Sequence, residues 1–274
     1  MVGRHGNSRG RRAAVDRKSL IGISLMTGVV LILGLGIYLF GQQKAAIAKL
    51  DPNSFCPNSG PIAVHSVLID RTDPLNDLQR EALRKDILHW ADQVPKYAAL
   101  RIYEVGVGGT LLRPVVDVCN PGDGSDASSL DSNPKFLKRR YREKFLDPLE
   151  AMLANMRADT EQDTSPIMQA VQAISVRDFG ETGPTGENTL TIVSDLLQNG
   201  PGFSLYRGIP DATSFSQSSI GRSLHADLSG VAVSIYLINR PKDARYQTDA
   251  LGTFWIQWLT SQGGDMAAFK QLPG

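Results

Sequence analysis

Residues 62–74 read IAVHSVLIDRTDP, and this stretch decides the fold. Its first part, IAVHSVLID (62–70), is a short apolar run that ends on an acid. Such a run fits a strand buried on both faces better than an alternating, half-exposed one. Asp73-Pro74 then offers a helix start, and DPLNDLQREALRKDILHWADQV follows. Leu75, Leu78, Ala82, Ile87 and Trp90 keep a helical stripe along it. A buried strand, a polar turn and a helix form the repeating unit of a parallel α/β sheet.

The alternation continues in both spacing and composition. LRIYEVGV (100–107) reads as a strand, GGT as a turn, and LLRPVVDVC (111–119) as its hairpin partner. Residues 135–161 read as a long charged helix with Phe136, Tyr141, Phe145, Leu149, Met152, Leu153 and Met156 inward, and Pro148 should kink it. SPIMQAVQAISVRDF (165–179) is a helix and TLTIVSDLL (189–197) a strand. FSQSSIGRSLHADL (215–228) is expected as a helix carrying Ile220, Leu224 and Leu228. VAVSIYLI (231–238) is a strand, and TDALGTFWIQWLTSQGG (248–264) is a closing helix that ends in glycines. The expected fold class is α/β, with a mostly parallel central sheet, one antiparallel hairpin strand and helices on both faces. Residues 120–133 and 199–218 are expected as loops within that one domain.

The chain has 274 residues with 29 Lys+Arg and 28 Asp+Glu, but its charge of +1 is unevenly spread. Residues 1–18 hold six basic side chains against Asp16, a net +5, which leaves −4 for the rest. A mildly acidic body excludes a basic nucleic-acid-binding surface. A hydrophobic content of 42% excludes wholesale disorder. After the basic tail, SLIGISLMTGVVLILGLGIYLF (19–40) contains no charged residue. A run of ~20 apolar residues suffices to cross a bilayer core. The expected organisation is a basic cytoplasmic tail (1–18), a transmembrane signal anchor (19–41), a stalk (42–61) and the folded domain (62–274). The positive-inside rule puts the main domain outside the cytoplasm, periplasmic or extracellular. A cleaved signal peptide is the competing reading, but no clear small-residue cleavage site directly follows the run. In an oxidising compartment Cys56 and Cys119, the chain's two cysteines, are expected to form one disulfide.

Ligands of open α/β sheets bind beyond the carboxyl ends of the strands. Asp70-Arg71-Thr72-Asp73-Pro74 ends the first strand, and Ser194-Asp195 ends the fourth. Asp163-Thr164-Ser165-Pro166 opens the helix at 165. Carboxylates and hydroxyls gathered at one edge offer hard oxygen ligands, suited to Mg²⁺, Mn²⁺ or Ca²⁺. Several of these residues also have a plainer role open to them. Asp73-Pro74 and Ser165-Pro166 can cap helices, and Asp195 can bond the N–H groups of its own loop.

In this arrangement the chain resembles the von Willebrand factor type A (vWA) domain over roughly residues 62–262. Asp70 and Thr72 match a D-x-S/T-x-S strand end. Ser165-Pro166-Ile167-Met168-Gln169-Ala170-Val171 is similar to T-P-L-x-x-A-L, and Ser194-Asp195 to a strand ending in S/T-D. The resemblance implies a divalent-cation adhesion site in which Thr72 and Ser165 touch the metal while Asp70 and Asp195 hold it, partly through water. It departs at Pro74, which stands where the family places a serine and removes one direct oxygen.

Joined to the anchor read from residues 19–41, the resemblance implies a membrane-anchored binding module that recognises a protein partner and performs no catalysis. Two other readings stand beside it. Asp70-Arg71-Thr72 also resembles the opening of haloacid-dehalogenase-like, Mg²⁺-dependent phosphatases, and a metal-free scaffold subunit of a membrane complex suits a degenerate site. There is no G-x-x-x-x-G-K-[ST], H-E-x-x-H or G-x-S-x-G. Gly106, Gly108 and Gly109 fit a hairpin turn, and His65, His89 and His225 lie far apart. Phe203, Tyr206 and Phe215 either present a partner surface at the same edge or pack as partly buried loop aromatics.

Overall fold

The computed structural model describes residues 25–36, 50–105, 113–125, 133–155, 162–181 and 183–272. The chain divides into two units, Met1–Lys49 and Leu50–Gly274. In the first, residues 25–36 form helix α1, whose side chains, Leu31 and Ile32 among them, are exposed. Among the described residues no helix is long and apolar enough to cross a membrane. Residues 19–24 and 37–41 of the expected span lie outside the described residues.

The second unit runs β1 (Val64–Asp70), α2 (Asp77–Gln93), β2 (Ala99–Val105), β3 (Val116–Cys119), α3 (Pro134–Tyr141) and α4 (Asp147–Asn155). It continues with α5 (Ile167–Asp178), β4 (Asn188–Ser194), the two-residue strands β5 (Asn199–Gly200) and β6 (Phe203–Ser204), α6 (Ala212–Gln217) and α7 (Ser219–Ser223). It closes with β7 (Val231–Leu237), α8 (Asp249–Ser261) and β8 (Asp265–Gln271). The main sheet has the order β3-β2-β1-β4-β7-β8. Every pair in it is parallel except β2–β3.

Strand side chains alternate between two buried faces, which is why the strands read as unbroken apolar runs. Leu68, Tyr103, Leu190, Ile192, Val233 and Ile235 point to one face, where they join side chains of α5, α6 and α8. Val67, Ile69, Ile102, Val193 and Tyr236 point to the other, with side chains of α2, α3 and α4. The first face encloses a charged network. Asp178, at the end of α5, accepts hydrogen bonds from Ser66 Oγ (2.5 Å), Tyr103 Oη (2.9 Å) and Arg101 Nη1 (2.7 Å). With each partner satisfied, such a charge is tolerated in the core.

Several expectations need correction. Helix α2 starts at Asp77, not at Asp73-Pro74, because Asn76 and Gln79 form a reciprocal capping box. Its buried stripe is Gln79, Leu83, Ile87 and Ala91, and Leu78 is exposed. The long helix is interrupted by a π-helical turn at Arg142–Leu146, just before Pro148, whose ring nitrogen has no hydrogen to donate. Phe136 is half exposed, and Met156 lies outside the described residues.

Residues 215–228 do not make one helix. Ser218 takes an extended conformation between α6 and α7, and its hydroxyl accepts from Gly221 N. A side chain at Gly221 would collide with the Phe215 carbonyl, 1.9 Å from an ideal Cβ. The chain also does not close on α8: Gly263, at φ 88°, turns it into β8, a strand the sequence reading missed. The expected glycine turn at 106–110 lies outside the described residues.

The bridge expected between Cys56 and Cys119 is present. It fastens the residues before β1 to the edge strand β3, where Cys119 N also donates to Ser54 O at 2.7 Å.

Candidate functional site

Strands β1, β4 and β7 run parallel and end together. The pairs Ile69↔Val193 and Ser194↔Leu237 set Asp70, the last residue of β1, level with Ser194, the last of β4. Asp70 is the hub. Its Oδ1 accepts from Thr72 N (3.0 Å) and Thr72 Oγ1 (2.6 Å). Its Oδ2 accepts from Ser194 Oγ (2.8 Å) and Ser165 Oγ (3.0 Å). Ser165 lies two residues before α5 and is held by a bridge to Asn199, with N···O distances of 2.7 and 2.8 Å. It does not cap that helix: Pro166 is the N-cap residue, with no side-chain cap bond. Three segments far apart in sequence thus turn hydroxyls toward one carboxylate.

Asp195 stands beside this hub. Its Oδ1 accepts from Leu197 N at 2.9 Å, made reachable by the left-handed turn at Leu196 (φ 65°). Its Oδ2 lies 3.5 Å from Arg240 Nε. Burial first, and the nearby Asp70 carboxylate second, push the Asp195 carboxyl up to about 7, against the opposing pull of Leu197 N–H and Arg240. Gln247 braces the loop, donating to Asp195 O (3.1 Å) and Ile238 O (2.8 Å).

The structure therefore brings together all four residues named from the sequence, Asp70, Thr72, Ser165 and Asp195. All are nearly buried, at 1%, 3%, 7% and 2% exposed. Asp73 does not join them. Its carboxylate pairs with Lys242 at 2.7 Å, and Asp163 contributes its backbone carbonyl to Asn199 Nδ2. His65, His89 and His225 are apart, each beside a different side chain: Thr189, Gln93 and Gln262. Arg240 was missed by sequence reasoning. The one available signal was its position just past the β7 run, at the same sheet edge.

Of the three loop aromatics, Phe215 is buried and packs edge-on against Phe254, and half-buried Phe203 stacks on Phe215 at 4.4 Å. Half-buried Tyr206 meets Tyr246 edge-on at 4.9 Å, and Arg245 lies 4.6 Å over the Tyr246 ring. Burial first, then the carboxylates of Asp195, Asp243 and Asp73, raise the Tyr206 phenol above its usual range.

The donor set is oxygen only, the chemistry of Mg²⁺, Mn²⁺ and Ca²⁺. Thr72 and Ser165 spend their protons on Asp70, so their oxygen lone pairs can still face a cation. In that sense the residues fit a hard cation, short of the oxygen that Pro74 cannot supply. Among the described residues no three His, Cys, Asp or Glu side chains gather as a metal-binding group. The set here has two carboxylates and takes its other oxygens from hydroxyls.

No protein-family model matches the chain, and no curated protein matches it. Solved structures do. A von Willebrand factor type A protein from Catenulispora acidiphila is 14% identical, with 74% of this chain and 42% of that one covered and a TM-score of 0.38. The VWA domain of SpRpn10 is 10% identical, with 77% and 88% covered and a TM-score of 0.39. The human COPII-coat protein Sec24c is 13% identical, with 77% and 29% covered and a TM-score of 0.40. The chain thus spans less than half the length of the first and under a third of the last. Each is a likeness only, and the fold rests on the sheet order described above.

Proposed function

We propose that this chain is a vWA-like binding module that recognises a protein partner at the carboxyl edge of its sheet, with a divalent cation held among Thr72, Ser165, Asp70 and Asp195. One observation carries the reading: three hydroxyls from separate segments converge on a single buried carboxylate beside a second one. Two carboxylates side by side in a buried place are relieved either by a proton or by a cation, and the hydroxyl oxygens gathered around them favour the cation. A bound Mg²⁺, Mn²⁺ or Ca²⁺ would supply a position for a partner's carboxylate. The protein's own share is to orient Thr72 and Ser165 through Asp70 and to present the rim. Tyr206, Tyr246, Arg245 and Lys242 stand there, and Tyr and Arg are the residue types enriched at binding hot spots.

Catalysis is not part of this reading. Asp70, the nucleophile of the phosphatase alternative, has both oxygens engaged in hydrogen bonds and is 1% exposed, which favours a positioning role over attack on a phosphate. The apolar run at 19–41 behind a +5 tail supports a signal anchor with the domain outside the cytoplasm, and the Cys56–Cys119 bridge suits an oxidising compartment.

Calorimetric titration of the full chain in detergent with Mg²⁺, Mn²⁺ and Ca²⁺, beside Asp70→Ala, tests the proposal. One binding site in the unmodified chain and none in the variant is expected. No heat from any of the three ions would remove the metal. A phosphatase activity that Asp70→Ala abolishes would replace the binding reading with the enzymatic one.

A further inference from the structure

Arg240, just past the end of β7, is 6% exposed. Its guanidinium donates to the Pro74 carbonyl through Nη1 and to the Asp73 carbonyl through Nη2 at 3.1 Å. Its buried Nε has no hydrogen-bond partner, yet it lies 3.5 Å from Asp195 Oδ2. The backbone behind it is fixed, because Arg240 N donates to Gln247 Oε1 at 2.6 Å and Gln247 in turn holds the Asp195 carbonyl. One side chain therefore ties the β1–α2 turn, the β4 end and the β7 end together.

A guanidinium is held in a buried place only against negative charge. Here that charge is Asp195, with Asp70 beyond it. Asp73 is already paired with Lys242, so Asp195 and Asp70 are the acids left to the guanidinium. A divalent ion entering this site meets a positive charge that is already seated.

We propose that Arg240 is the resident cation of the site, closing the carboxyl edge when no metal is bound and setting how weakly a divalent ion binds. The inference rests on the metal reading above, and it explains how a site missing the Pro74 oxygen stays ordered. Arg240→Gln removes the charge and leaves two carboxylates to a metal alone. Arg240→Lys keeps the charge, though not the planar fork.

The test is calorimetric titration of the full chain with Mg²⁺ for the unmodified protein, Arg240→Gln and Arg240→Lys, with melting in EDTA and in Mg²⁺ as a second readout. Arg240→Gln is expected to bind Mg²⁺ at least tenfold more tightly than the unmodified chain, and Arg240→Lys to match the unmodified chain. In EDTA, Arg240→Gln should melt lowest and gain most from Mg²⁺. Equal affinity in Arg240→Gln and the unmodified chain would overturn the role of Arg240 while leaving the metal site standing. Binding by none of the three would overturn both. Should Arg240→Gln fail to fold, the Arg240 Nε–H resonance of the unmodified chain gives the answer. It should shift on saturation with Mg²⁺, and a resonance unmoved while Mg²⁺ binds would refute the proposal.

Discussion

Asp195→Asn is the sharpest probe of the site's electrostatics. Burial and Asp70 raise the Asp195 carboxyl from an ordinary 3.8 to about 7 in the folded chain. Between those values the folded protein holds a proton that the unfolded chain has released. Stability then falls as pH rises through this window: it is fully present below pH 4 and lost above pH 7. At ~1.4 kcal/mol per pH unit the loss is about 4 kcal/mol, a large share of a typical folding free energy of ~5–15 kcal/mol. Asparagine cannot ionise but can still accept the Leu197 N–H bond, so it removes the slope and keeps the turn.

Urea unfolding in EDTA from pH 4.5 to 8 is the assay, read as Asp195→Asn minus the unmodified chain so that other titrating groups cancel. The difference should climb toward the variant by a few kcal/mol across the range. Added Mg²⁺ should flatten it by favouring the ionised form. A difference curve that is flat in EDTA would mean that Asp195 is ionised in the fold throughout, and a curve of opposite slope would mean that Arg240 dominates Asp70; either refutes the reasoning.

Other perturbations reach the rest of the structure. Asp178→Ala strips Arg101, Tyr103 and Ser66 of their shared buried acceptor and should cost about 3–5 kcal/mol in chemical unfolding, against ~1 kcal/mol for Tyr103→Phe. The Cys56–Cys119 bridge spans 63 residues, so Cys56→Ser with Cys119→Ser should lower the unfolding free energy by about 4 kcal/mol; unreduced protein that labels at both thiols would contradict it. Asn76→Ala breaks the capping box of α2 and should cost ~1 kcal/mol by thermal melting. A reporter fused after residue 274 should be active only outside the cytoplasm, and cytoplasmic activity would reverse the proposed topology.

What could be read from the sequence follows from where each signal resides. Strands β1 and β7 are covered on both faces, so IAVHSVLID and VAVSIYLI stand out as apolar runs. Strand β8 was invisible because an edge strand with exposed residues, DMAAFKQ, carries no β-branched residue and only the short apolar stretch 266–269, which contains two alanines. Asp73-Pro74 looked like a helix start because the pair is local, but Asp73 turns to Lys242, 169 residues away, and Asn76 caps instead. The hub itself was legible, since Asp70, Thr72, Ser165 and Asp195 sit at strand and helix ends whose direction the alternation sets. Its near-complete burial was not, because the cover comes from loops of no regular pattern. Arg240 was not legible either. A lone arginine after a strand is ordinarily solvated, and only the fold places it against Asp195.

The most direct test is anomalous diffraction from crystals of the protein grown or soaked with Mn²⁺. A single peak within coordination distance of Thr72 Oγ1 and Ser165 Oγ, with the Asp70 and Asp195 carboxylates around it, is the predicted result. Saturating Mn²⁺ with no peak at that position, or with a peak elsewhere alone, would contradict a cation-binding carboxyl edge.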